Sequence, residues 1–98
     1  MSTIKNIRRA VQARKVEFTD HALEEMDNDA LNLEQVQTVL LHGALYREHD
    51  DDPRGIRYVV RGAVDDEDVD VVCRLMSSGI LKIITVYVVK ELDENNDE

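Results

Sequence analysis

The sequence predicts an α+β domain: two or three N-terminal helices packed on one face of a four-stranded antiparallel sheet. Three observations carry that expectation. Apolar residues recur at helical spacing as far as Leu40, and at every second position from Ala44 onward. The helical and stranded halves are segregated rather than interleaved, which is the α+β pattern. The stretches between the expected strands are also too short for parallel crossovers.

Each element has its own signal. Ile4, Ile7 and Val11 recur at helical spacing behind Ser2 or Thr3 as the cap, with Lys5, Arg8, Arg9 and Gln12 on other faces. Val16 to Thr19 reads as an extended connector. Thr19 or Asp20 can cap a helix carrying Ala22, Leu23 and Met26, and Asp20 suits the positive end of its dipole. Asn32-Leu-Glu-Gln35 approximates a capping box before the stripe Leu33, Val36, Val39 and Leu40, and Gly43 ends that helix. Residues 44–49, 56–63, 69–76 and 80–89 then read as strands, with turns at 50–55, 64–68 and 77–79. The last two strands are apolar at almost every position and so read as the best buried. Residues 1–90 are expected to form a single domain, with 91–98 as an acidic, disordered tail.

Charge narrows the classes of function. The net charge of −9 is unevenly spread: residues 1–15 carry five bases and no acid, and the rest carries 7 bases and 21 acids. Such a field repels nucleic acid at long range, so any RNA contact must come from a local basic patch and is expected to be weak. An acidic surface poor in lysine also suits a high-salt cytoplasm. No run of about 20 apolar residues predicts a membrane span. Cys73, the single cysteine, sits in an apolar strand pattern, which fits a buried residue and a reducing, cytoplasmic setting. His21, His42 and His49 lack zinc-site spacing, and the Asp50–Asp52 run is not that of an EF-hand, so neither metal nor other cofactor is expected.

The segment Asp52-Pro53-Arg54-Gly55-Ile56-Arg57-Tyr58 has the residues of a turn entering a strand. A turn does not require Arg54 or Arg57. If Tyr58 and Val60 face the helices, Arg57 and Arg61 face away, and Arg74 is opposite in parity to Val71, Cys73 and Leu75. Thr85 and Tyr87 share a parity on the last strand. These side chains can form a phosphate-sized positive spot on the open face. Alternatively, each arginine pairs with a nearby acid as a cross-strand ion pair.

Three islands in fixed order, Thr19-Asp-His21-Ala-Leu-Glu-Glu-Met26, Asp52 to Tyr58, and Ile83-Ile-Thr-Val-Tyr87, resemble domain of unknown function 4258, over roughly residues 4 to 89. That family is usually placed beside the RelE/BrnT-like toxins of toxin–antitoxin pairs. The resemblance implies a RelE/BrnT-like fold and, for function, a metal-independent endoribonuclease that uses the 2′-hydroxyl of RNA as nucleophile. Arg57, Arg74, Tyr87 and His21 are then the catalytic candidates, with Arg57 as phosphate clamp, Arg74 as charge stabiliser, and Tyr87 and His21 as the acid/base pair. Arg54, Arg61 and Thr85 are the substrate-binding candidates. For His21 the alternative is a structural role, holding its helix on the sheet. The chain departs from its relatives at Glu25 and Asp29, where they commonly carry arginine, and at Ala30, where they carry glycine. Those charge reversals weaken any RNA contact through that helix. Two other readings stand beside the nuclease: a non-catalytic interaction or regulatory module that kept the toxin fold, and an acidic mimic of nucleic acid. The implied partner is an antitoxin-like protein or a second copy, meeting the basic first helix or an exposed sheet edge.

Overall fold

Helix α1 (Thr3–Gln12) buries Ile7, Ala10 and Val11, one stripe of an otherwise basic helix. The computed structural model describes residues 2–90; the tail expected at 91–98 lies outside the described residues. Ser2 occupies the cap position of α1, but its side chain makes no capping bond; its carbonyl accepts from Asn6 instead. Helix α2 (Asp20–Asn28) is capped by Thr19, whose Oγ1 accepts from the Ala22 N–H at 3.0 Å and donates to the Ile84 carbonyl at 2.9 Å. One hydroxyl thus starts the helix and moors it to the sheet. Helix α3 (Leu33–His42) carries both bonds of the expected capping box, at 2.8 and 2.9 Å between Asn32 and Gln35.

The sheet has five strands, not four, and is mixed. Strands β2 (Ala44–His49), β3 (Arg57–Val64), β4 (Glu67–Leu75) and β5 (Leu81–Val88) form the expected antiparallel meander. The correction concerns Val16–Phe18, read above as a connector: it is strand β1, paired in parallel with β5, and the order is β1-β5-β4-β3-β2. Two bonds outside the strand fix that pairing, Leu81 N–H to the Lys15 carbonyl and Thr19 N–H to the Ile83 carbonyl. Strands β5, β4 and β3 each have a neighbour on both sides, and the apolar residues of β4 and β5 are almost all buried.

All three helices pack on one face, against Val60, Val69, Val71, Cys73, Leu81, Ile83, Val86 and Val88. Burial of each of these side chains contributes roughly 1.5–3 kcal/mol. Cys73 belongs to this core, and burial pushes its thiol up to about 12, so it stays a protonated hydrophobe. Among the described residues no helix is long and apolar enough to cross a membrane.

Two departures from the resembled family are explained here. Asp29 accepts the Val88 N–H at 2.9 Å, so its carboxylate ties the end of α2 to β5. Ala30 follows α2 with φ 56°, a left-handed conformation that costs a side chain about 1–2 kcal/mol and that glycine adopts freely. Ala30→Gly is therefore expected to raise stability by about 0.5–1 kcal/mol, read as a higher urea midpoint at unchanged slope.

Candidate functional site

Alternation along the strands sends a second set of side chains to the face without helices. The register arranges them in rows: Arg47, Val59, Val72 and Thr85 in the middle, and Arg61, Asp70 and Tyr87 on one side. On the other side lie His49 opposite Arg57, and Arg74 opposite Lys82, one step beyond the Tyr58–Cys73 pair. Val59 and Val72 are buried although they lie outside the core beneath the helices.

The first charged group is built around Asp52. Its Oδ2 is 2.8 Å from Arg74 Nη2, 3.1 Å from Arg54 Nη2 and 3.8 Å from Arg57 Nε, and its Oδ1 accepts the Arg54 N–H and Nε–H. Asp51 lies 3.7 Å from Arg57 Nη2 on the solvent side. Only 9% of the Asp52 side chain is exposed, and 8% of that of Arg74. Gly55 makes this closeness possible: its φ is 128°, and a Cβ there would stand 3.3 Å from Arg74 Cδ. The Nε atoms of Arg57 and Arg74 are buried with no hydrogen-bond partner among the described residues.

Hydrogen bonds from Arg54, with Arg74 adding its charge, hold the Asp52 carboxyl down to about 2. The folded value lies below the ordinary 3.8, so this stabilisation is complete above that pH and is lost as pH falls toward about 2. Asp52→Asn is accordingly expected to be less stable than the parent near neutrality, with the gap narrowing between about pH 4 and about pH 2. Urea midpoints measured across that range check it.

The second group centres on Asp70, whose side chain is only 3% exposed. Arg61 donates to it from Nε at 2.6 Å and Nη2 at 2.9 Å, a two-pronged bond. The Arg61 guanidinium also lies 3.7 Å from the centre of the Tyr46 ring, brought there by the bulge between Leu45 and Arg47. Tyr87 stands opposite Asp70; burial, reinforced by the Asp70 charge, pushes its phenol upward, so it keeps its proton near neutrality.

The seven residues singled out by sequence therefore fall into separate places. Arg54, Arg57 and Arg74 converge on Asp52. Arg61 and Tyr87 flank Asp70, four residues along β4 from Arg74, or about 13 Å away. Thr85 lies in the apolar row between the groups. His21 is exposed in the first turn of α2, on the helical layer, and its side chain makes no hydrogen bond among the described residues. The reach expected between Arg57, Arg74 and Tyr87 thus joins only the two arginines. Of the two alternatives for the arginines, Arg54, Arg57, Arg61 and Arg74 adopt ion pairing, with Asp51, Asp52 and Asp70 as acceptors.

Sequence reasoning missed Asp52, Asp70, Tyr46, Arg47 and His49. Asp70 was detectable, since it alternates with Val69 and Val71 and shares the parity of Arg74. Asp52 was hidden in an acidic run that reads as a solvated turn. Among the described residues no group of three His, Cys, Asp or Glu side chains is placed to hold a metal ion.

Comparison with known proteins adds one result to this geometry. No curated protein and no solved structure matches the chain. A family model does, from the last residue of β1 through β5, and the chain, matched over residues 18–88, belongs to the family "Domain of unknown function (DUF4258)".

Proposed function

We propose that the protein is a toxin-like, metal-independent endoribonuclease of a toxin–antitoxin pair, related to RelE and BrnT, with the open sheet face as its RNA-binding surface. One observation carries the reading: Asp52 is shared by Arg54, Arg57 and Arg74, so a single buried carboxylate positions three guanidinium groups. Even with Asp51 counted, that group keeps a positive surplus, on a chain whose overall charge is −9. A phosphodiester oxyanion is the ligand such a surplus suits, and preorientation by Asp52 lowers the cost of ordering the side chains. Thr85, in the row between the two charged groups, then offers a hydroxyl beside the phosphate.

In the reaction, the 2′-oxygen attacks the adjacent phosphorus, the bond from phosphorus to the 5′-oxygen breaks, and a 2′,3′-cyclic phosphate and a 5′-hydroxyl result. Arg57 and Arg74 supply charge to the phosphorane, water takes the proton of the 2′-hydroxyl and returns one to the leaving 5′-oxygen, and Tyr87, about 13 Å along the sheet beside Asp70, is left to contact a neighbouring part of the RNA. The proteinaceous partner is an antitoxin-like protein or a second copy, whose interface should bury about 1,000 Å² or more in total.

A second reading, a non-catalytic module that kept the fold, is favoured by the position of His21 on the helical layer, apart from every guanidinium of the open face. Incubating the protein with single-stranded RNA in EDTA and analysing the product ends separates the two. The nuclease reading expects cleavage with 2′,3′-cyclic phosphate ends, reduced about tenfold or more by Arg57→Ala with Arg74→Ala. Binding without cleavage supports the second reading, and RNA neither bound nor cut removes RNA from the account.

A further inference from the structure

We infer that the cleft between α1 and the β4–β5 turn is a binding site for a small anion joined to an apolar or ring-shaped body, a carboxylate or a phosphate monoester. The cleft encloses about 420 Å³, within the range of small-molecule pockets. Asn6, Arg9, Ala10, Ala13 and Lys15 form one wall, and Leu75, Met76, Ser77 and Gly79 the other. Among the described residues no carboxylate lines it.

Its charge contrasts with the open face. The four arginines of the Asp52 and Asp70 groups each have a carboxylate partner, whereas Arg9 and Lys15 make no ion pair or side-chain hydrogen bond among the described residues. Both come from residues 1–15, which hold no acid at all. An anion entering between them meets two cations that have no partner among the described residues, plus the amide of Asn6 and the hydroxyl of Ser77. Below this polar rim lie Ala10, which is buried, Leu75, which is half-buried, and Met76, which is 39% exposed. A ligand with an apolar body covers Met76; a bare ion leaves it wet.

The walls are built before any ligand arrives. The Lys15 N–H donates to the Ala10 carbonyl, and the Lys15 carbonyl accepts from Leu81, which ties the end of α1 to the start of β5. Across the cleft, Met76 N–H donates to Ile80 and Gly79 N–H to Met76, closing the turn. Gly79 has φ 93°, and a Cβ there would stand 3.5 Å from Lys15 Nζ, so glycine keeps the ammonium accessible. Five of the nine lining residues precede the family match at 18–88.

The test is an amide-shift titration of the whole protein with hexanoate, adenosine 5′-monophosphate and inorganic phosphate, with hexanol and adenosine as neutral controls. Saturable shifts at Asn6, Ala10, Ser77 and Gly79 are expected from hexanoate or the nucleotide, about tenfold tighter than from inorganic phosphate or either neutral control. Which of the two binds better distinguishes carboxylate from phosphate. Arg9→Glu with Lys15→Glu should weaken binding at least about tenfold, and Ala13→Trp, which fills the cleft without altering charge, should do the same. Arg57→Ala with Arg74→Ala should leave it unchanged, which keeps the result independent of the RNA reading. Shifts that fail to saturate at about 10 mM, that survive both cleft variants, or that track the open-face arginines instead overturn the inference.

Discussion

Gly43→Ala is expected to cost on the order of 3 kcal/mol or more, enough to unfold much of a marginally stable domain. Gly43 closes α3, yet its φ is −77°, so its role is not the left-handed cap that its position in the sequence suggests. The reason is space: a Cβ would stand 2.5 Å from both the Arg61 and the Val39 carbonyl oxygens. Both are backbone atoms, one in β3 and one in α3, and neither can move without parting the helix from the sheet. Arg8 reinforces the same junction, donating from Nη2 to the Gly43 carbonyl at 2.9 Å. Gly62 faces this junction with a looser fit, 3.2 Å from Val39 Cα, so Gly62→Ala should cost about half as much. Urea unfolding of both variants checks the order; an alanine tolerated at Gly43 would mean that α3 does not sit this close to β3.

Asp70→Ala is expected to cost about 2–3 kcal/mol. The lower end of the buried-pair range applies because 27% of the Arg61 side chain is exposed, so water recovers part of its lost partner. Arg61→Leu together with Asp70→Leu should restore a good part of that loss, since no charge is then left unpaired. Removal of the Asp70 carboxylate should also bring the Tyr87 phenol back down, because Asp70 is one of the groups raising it. An ultraviolet titration of Asp70→Asn reads that shift. An unchanged phenol would separate Tyr87 from the Asp70 group.

Much of the fold was legible because its signals are local. The Asn32–Gln35 box, the Thr19 cap and the change of period at Ala44 each depend on residues a few positions apart. Strand β1 was not legible, since three residues carry too little alternation and the partner β5 lies some 65 residues away. The parity of Arg57, Arg61 and Arg74 correctly separated them from Tyr58, Val60 and Cys73. The grouping within the open face was beyond parity, because parity gives a side and not a distance along the strand. Tyr87 shares the side of Arg74 but sits opposite Asp70. The role of Asp52 depends on a loop folding back over the sheet, held by the Gly55 N–H bond to the Asp52 carbonyl at 3.0 Å.

On the proposed function, RNA phosphate is held on the open face by the Arg54–Arg57–Arg74 group. Titration of the protein with a short single-stranded RNA at low salt, followed by amide shifts, tests it most directly. Saturable shifts are expected at Arg54, Gly55, Arg57, Val72, Arg74 and Thr85, with little change along α2 around His21 and loss of binding in Arg57→Ala with Arg74→Ala. Shifts confined to α1 and the β4–β5 turn, or unaltered by that double variant, would contradict it.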